Sequence, residues 1–172
     1  MLSARLWSVR HAGLLEWFYL RFEGFFLSLH PLANRIGYQR LEAPISWFEH
    51  MVKACLFDCK MCGKCVLSAT GMSCPMNCPK ELRNGPCGGV HDRGYCEVKP
   101  EMPCVWVQAW EGSRRMTTGD KIDTVQFPVD RRLDGKSSWL AIMRGDHEPG
   151  NPALVHRHGP NRKNTVRQTS GS

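Results

Sequence analysis

Cys59-Lys60-Met61-Cys62-Gly63-Lys64-Cys65 sets three thiols at successive two-residue gaps, and Cys74-Pro75 and Cys78-Pro79 follow closely. Three cysteines so spaced wrap a loop around one face of an iron-sulfur cluster, and a remote cysteine followed by proline completes such a set in ferredoxin-type sites. Cys87, Cys96 and Cys104 continue the series. With Cys55 before it, all nine cysteines of the 172-residue chain fall between Cys55 and Cys104. Clustering of this kind has three physical explanations: a disulfide scaffold, structural zinc, or iron-sulfur ligation. An odd count cannot pair completely within one chain. The N-terminus Met1-Leu-Ser-Ala-Arg-Leu-Trp7 lacks the basic start, continuous apolar run and cleavage site of an export signal. The expectation is therefore a cytoplasmic protein whose thiols are metal ligands.

Zinc remains open on spacing alone. Cys62 and Cys65 with Cys74 and Cys78 would make one four-cysteine site, leaving Cys59, Cys87, Cys96 and Cys104 for a second. The Cys59, Cys62, Cys65 run favours iron-sulfur, because zinc sites usually take ligands as separated pairs. Cys55, beside Met51 and Val52 at a helix end, reads as a buried, non-ligating thiol. His91 reads as a solvent-facing loop residue, and Gly85-Pro-Cys-Gly-Gly89 as a turn beside a ligand, since it has no Lys-Ser/Thr of a phosphate loop. Trp106 and Trp110, four apart, share one helical face and suit a core or an interface.

Outward from the cysteines, the first fifty residues hold 10 of the 16 aromatics. Leu14, Phe18, Phe22, Phe25 and Leu29 recur at helical spacing, which predicts a helix with an apolar stripe ending before Pro31. The stripe needs a mate, either this chain's own cysteine region or a partner subunit. A second short helix is expected from about Pro44 to Cys55. From Cys55 to Cys104 glycine, proline and asparagine predict loops with little apolar side chain of their own, leaving metal ligation to supply the stabilisation. Beyond Trp110 a short strand, Thr124–Val129, and an apolar patch, Trp139–Met143, stand out. From about Gly145 the sequence is polar and aperiodic.

The net charge of +7, from 23 Lys+Arg against 16 Asp+Glu, is dispersed along the chain, which argues against a nucleic-acid partner. The longest uncharged run near the N-terminus, Gly24 to Asn34, is 11 residues. A bilayer span needs about 20 apolar residues, so no transmembrane segment is expected.

Cys59-Lys-Met-Cys62-Gly63-Lys-Cys65-Val-Leu, Cys74-Pro75, Cys78-Pro79-Lys80, Arg83-Asn84-Gly85-Pro86-Cys87-Gly88-Gly89, Gly94-Tyr-Cys96-Glu97-Val98 and Cys104-Val-Trp106 together resemble the methylenetetrahydrofolate reductase C-terminal domain family. The family pattern starts at Cys59. The resemblance implies eight metal ligands, Cys59, Cys62, Cys65, Cys74, Cys78, Cys87, Cys96 and Cys104, enough for two [4Fe-4S] clusters, with zinc at one or both sites as the alternative. It implies an accessory subunit in one-carbon metabolism that passes single electrons from a donor protein to a flavin on a (βα)8-barrel catalytic partner. With neither a βα repeat nor a nucleotide-binding fingerprint, this chain should not hold flavin itself. A structural zinc module without redox function is the alternative, and a zinc-ribbon nucleic-acid binder a distant third.

The expected fold is a small irregular metal-stabilised α+β domain, with cysteine-rich loops around two metal sites, preceded by amphipathic helices and followed by a disordered C-terminal tail. Its expected parts are an aromatic docking segment over 1–54, a cysteine-rich metal-binding domain over 55–110, a partner-contact extension over 111–144 and the tail over 145–172.

Overall fold

The structure, a computed structural model, describes residues 2–85 and 87–144; the expected tail lies outside them. Six helices run in order: α1 (Leu2–Arg10), α2 (Ala12–Ser28), α3 (His30–Ile36), α4 (Tyr38–Phe57), α5 (Val105–Ser113) and α6 (Ser138–Arg144). Short 3-10 turns stand at Leu67–Ala69, Pro75–Asn77, Gly119–Asp123 and Arg131–Leu133. Extended pairing among the described residues amounts to isolated bridges joining Val90 to Cys96 and Tyr95 to Pro103. The fold is helical, not α+β.

The strand expected at Thr124–Val129 does not form, because no neighbouring strand offers it a ladder. A side-chain amide takes that place. The backbone N–H of Gln126 donates to Asn84 Oδ1 at 2.7 Å, and Asn84 Nδ2 donates to the Gln126 carbonyl at 2.9 Å.

The expectation of a metal-stabilised domain is overturned as well. Among the described residues no group of three or more His, Cys, Asp or Glu side chains is set to hold a metal ion. The cysteine loops are instead packed by protein: Cys62, Leu67, Met72, Cys74 and Met76 form one core cluster with Ala12 of α2, Phe57 of α4 and Met116. Helices remote in sequence supply the apolar surface that the loops lack.

Helix α2 forms as its pattern predicts, but a different face is packed. Leu14, Phe18 and Phe25 are at least half exposed, while Leu15, Tyr19, Phe22 and Phe26 lie partly buried. Leu15 and Tyr19 lean on the cysteine-loop core, and Phe22 and Phe26 meet the Trp139 ring at 4.7 and 5.5 Å. The face is set by one close backbone approach and one polar anchor rather than by the aromatic stripe. Gly13 passes so close to the Arg115 carbonyl that a Cβ would sit 2.5 Å from it. Three residues on, buried Glu16 accepts from Thr117 N–H at 2.7 Å and from Thr118 N–H and Oγ1 at 3.0 and 2.6 Å.

Burial pushes the Glu16 carboxyl up, but the bonds from Thr118 and Thr117 outweigh it and leave the pKa below its ordinary value. A carboxyl depressed in the folded state stabilises the fold above the ordinary carboxylate range, and that contribution disappears as pH falls through the folded-state value. Glu16→Ala strips the acceptor from two backbone N–H groups, at an expected cost of about 2–4 kcal/mol. It should also reduce the loss of stability between about pH 5 and pH 3, as read by urea unfolding.

Helix α4 is longer than predicted. It begins at Tyr38, after the hinge at Gly37 (φ +93°), and carries Pro44 inside its first turns. Its face toward α6 bears two carboxylates seven residues apart. Glu49 accepts from both hydroxyls of Ser137 and Ser138 and from Trp139 N–H at the start of α6. Glu42 accepts from Arg144 at the far end of α6, at 2.9 Å. Anion at the N-terminus and cation at the C-terminus also suit the α6 dipole. The apolar patch Trp139–Met143 is thereby laid along α4, with Leu140 fully buried beside Ala33, Tyr38, Leu41 and Ile45.

Candidate metal centre

At the end of α4 the backbone turns sharply. Asp58 (φ +52°) closes the helix in the left-handed conformation, and Met61 (φ +48°) and Gly63 (φ +70°) repeat that conformation within the next five residues. The chain folds back on itself, so Cys59, Cys62 and Cys65 face a common hollow. A Cβ on Gly63 would lie 2.5 Å from both Cβ and O of Leu133, so only glycine lets the loop seat against the Arg131–Leu133 turn. Gly135 N–H donates to the Met61 carbonyl at 2.7 Å and fastens the same loop from outside.

Opposite the loop stands Cys74. It precedes the 3-10 turn Pro75–Asn77, and Asn77 Nδ2 holds that turn to the Phe57 carbonyl at 2.8 Å. Cys59, Cys62, Cys65 and Cys74 line one pocket, with Lys53, Lys64, Arg83, Lys136 and Glu49 also in its wall. Cys62 and Cys74 are buried, Cys59 and Cys65 partly so.

Several donors address the sulfurs. Met61 N–H reaches Cys59 Sγ at 3.3 Å, Met76 N–H addresses Cys74, and Arg83 Nη1 lies 3.7 Å from Cys62 Sγ. Arg83 is itself buried and pinned, donating to the Lys64 and Phe127 carbonyls at 2.7 and 3.2 Å. Burial pushes the Cys59 thiol up to about 11, with the neighbouring Cys65 charge adding to it. Burial, followed by the charges of Cys59 and Cys65, pushes Cys74 up to about 12. Cys59 and Cys74, held above the ordinary thiol range, would give up their protons more readily beside a bound cation. Four thiols thus share one pocket with several cationic side chains, although as placed no three of them are set to hold a metal ion.

The other four predicted ligands are less gathered. Cys96 N–H donates to the Met102 carbonyl and Cys104 N–H to the Gly94 carbonyl, which sets these two cysteines diagonally on one face of a bridged turn. Lys80, two residues after Cys78, pairs with Glu97, and Gly89, two residues after Cys87, abuts the same carboxylate. These contacts bring the segments after Cys78 and Cys87 to the residue that follows Cys96.

Other sequence expectations resolve simply. Cys55 is exposed rather than buried. His91 is exposed, as expected. Gly85 lies so close to the Trp106 ring that an added Cβ would collide with it. Trp106 is 6% exposed and Trp110 52%, so only the first is core; its Nε1 donates to the Leu82 carbonyl at 3.2 Å.

Sequence reasoning assigned no role to Lys53, Glu49 or Arg83. Arg83 sat within the quoted family string, while Glu49 and Lys53, four residues apart on a helix, give no local sign of burial. Lys53 also lines a neighbouring apolar groove of about 270 Å3 between α2, α4 and α6, walled by Phe18, Tyr19, Phe22, Phe48 and Trp139.

Fold and site define a small helical protein that turns a three-cysteine loop and a Cys-Pro turn toward one another against a cationic wall. The chain belongs to the methylenetetrahydrofolate reductase C-terminal family, whose model matches residues 38–132, more than half of its length. No curated protein and no solved structure gives a significant match. Among the described residues no helix is long and apolar enough to cross a membrane.

Proposed function

We propose that this chain is the iron-sulfur accessory subunit of a flavin-dependent methylenetetrahydrofolate reductase. Family membership supports the association with that reductase. The observation that carries the redox part is the pocket uniting Cys59, Cys62 and Cys65 with Cys74-Pro75, the pairing that ferredoxin-type spacing calls for. The competing zinc set needs Cys78, which does not line this pocket. The thiols flank the hollow, as ligands around a polynuclear cluster do.

A [4Fe-4S] cluster in this pocket supplies one-electron transfer. The protein's own part is to hold four thiolates, direct Met61 and Met76 N–H groups at two of them, exclude water with Leu67 and Val66, and present Lys53 and Arg83 as fixed positive charges. N–H groups and charge beside the sulfurs are the protein's levers on reduction potential. Cys78, Cys87, Cys96 and Cys104 are assigned to a second cluster. The flavin and the folate belong to a (βα)8-barrel partner, with electrons arriving from a donor protein. The partner's seat is the aromatic face of α2 and α4, where Trp17, Phe18, Phe25, Trp47 and Phe48 are all exposed. An apolar area of this kind marks an interaction surface.

Anaerobic purification with iron, zinc and acid-labile sulfide analysis tests the reading. The expected product is brown, bleaches with dithionite and carries about eight iron per chain. A colourless anaerobic preparation holding zinc alone would sink the redox role.

A further inference from the structure

Lys53 is the one lysine of the thiol pocket with both its charge and its position fixed by burial. It is 4% exposed and lies on α4, two turns ahead of the cysteine loop. Its ammonium donates to Glu49 Oε1 at 2.6 Å and to Ser138 Oγ at 2.8 Å, and sits 5.2 Å from the Trp139 ring centroid. Glu49, 1% exposed, is in turn held by Ser137, Ser138 and the Trp139 N–H. A buried ion pair is costly to desolvate, and an apolar pair of the same shape often serves stability equally well. Stability alone therefore gives weak reason for an ammonium here.

The geometry gives another reason. Lys53 extends into the wall shared by Cys59, Cys65 and Cys74, and no salt or solvent screens it. Burial pushes the Lys53 pKa down, but the facing Cys65 charge, followed by Glu49, outweighs it and keeps the ammonium protonated.

We infer that Lys53, clamped by Glu49 and Ser138, is a positioning residue that stabilises negative charge at the four-thiol site and thereby raises the potential of whatever redox group the site holds. This rests on the iron-sulfur reading for its redox form, but the charge relation itself does not. Adding an electron to a cluster, and forming an anionic tetrathiolate complex from neutral thiols, both place more negative charge before the same ammonium.

The test uses the full chain as wild type, Glu49→Gln, Lys53→Met and the double variant Glu49→Gln/Lys53→Met, which leaves no buried ion unpaired. With reconstituted iron, an EPR-monitored titration gives the midpoint potential. The expected order, from most positive to most negative, is Glu49→Gln, wild type, double variant, Lys53→Met. The extremes should differ at least tenfold in the reduction equilibrium, or 59 mV for one electron. Circular dichroism checks that the helices persist, and the double variant carries the comparison should either single variant unfold. With cobalt(II) as probe, apparent affinity should fall in the same order. Equal potentials in wild type and double variant, or Glu49→Gln and Lys53→Met shifting in the same direction, would overturn the inference. Failure of the chain to take up iron while cobalt affinity follows the order removes the redox reading and leaves the charge role standing. Uptake of neither metal overturns both.

Discussion

Reconstituted protein carrying Cys74→Ser is expected to lose about half its iron, falling from about eight to about four per chain, and Cys65→Ser should do the same. Each removes one thiolate from the same pocket, and a serine hydroxyl is a poor substitute ligand for soft iron. Cys55→Ser is the control. Cys55 is exposed on α4 and turned away from the pocket, so its iron content and spectrum should match wild type. Iron and sulfide analysis beside dithionite-reduced EPR reads all three. Full iron retained in Cys74→Ser would remove this residue from the ligand set and break the grouping that the pocket suggests.

The second large effect falls on stability. Leu140→Ala should cost about 3 kcal/mol, from lost transfer energy together with the cavity left behind. In a domain of this size, that lowers the melting temperature by about 6–12 °C. Leu140 is fully buried, packed in a cluster with Ala33, Met143 and the rings and side chains of α3 and α4. Neighbouring Ile142, only partly buried, should lose far less on the same change. A melting curve for each distinguishes α6 as a structural helix from α6 as a loosely attached extension.

How far the sequence disclosed this arrangement depends on the range of the interaction involved. That Cys59, Cys62 and Cys65 line one hollow was legible because their spacing is local, but spacing left Cys74-Pro75 and Cys78-Pro79 equal as the remote partner, and only the fold brings Cys74 to the same pocket. Helix α2 was legible too, since its 3.6-residue repeat is strong. Its buried face was not, because Trp17, Phe18, Tyr19 and Leu20 make it apolar nearly all round. The burial of Glu16 against Thr117 and Thr118 and the seating of Gly13 on Arg115, both about a hundred residues away, decide the rotation. The α+β expectation failed for a similar reason. Thr124–Val129 has strand composition, but composition cannot say whether a second strand will be there to pair with it. The pair Glu49 and Lys53 looks like solvent-facing charge in sequence and becomes the most buried ionic contact on α4 once α6 covers it.

The order in which the thiol loop acquires its walls has a consequence for assembly in time. Cys59 to Cys74 and the helix before them are synthesised first, whereas Leu133, Gly135, Lys136 and Ser138, which back the loop and complete its rim, arrive some sixty residues later. Translation proceeds at about 5–20 residues per second. For several seconds of every synthesis, the four sulfurs are therefore reachable from a side that the finished protein closes when its last helix docks.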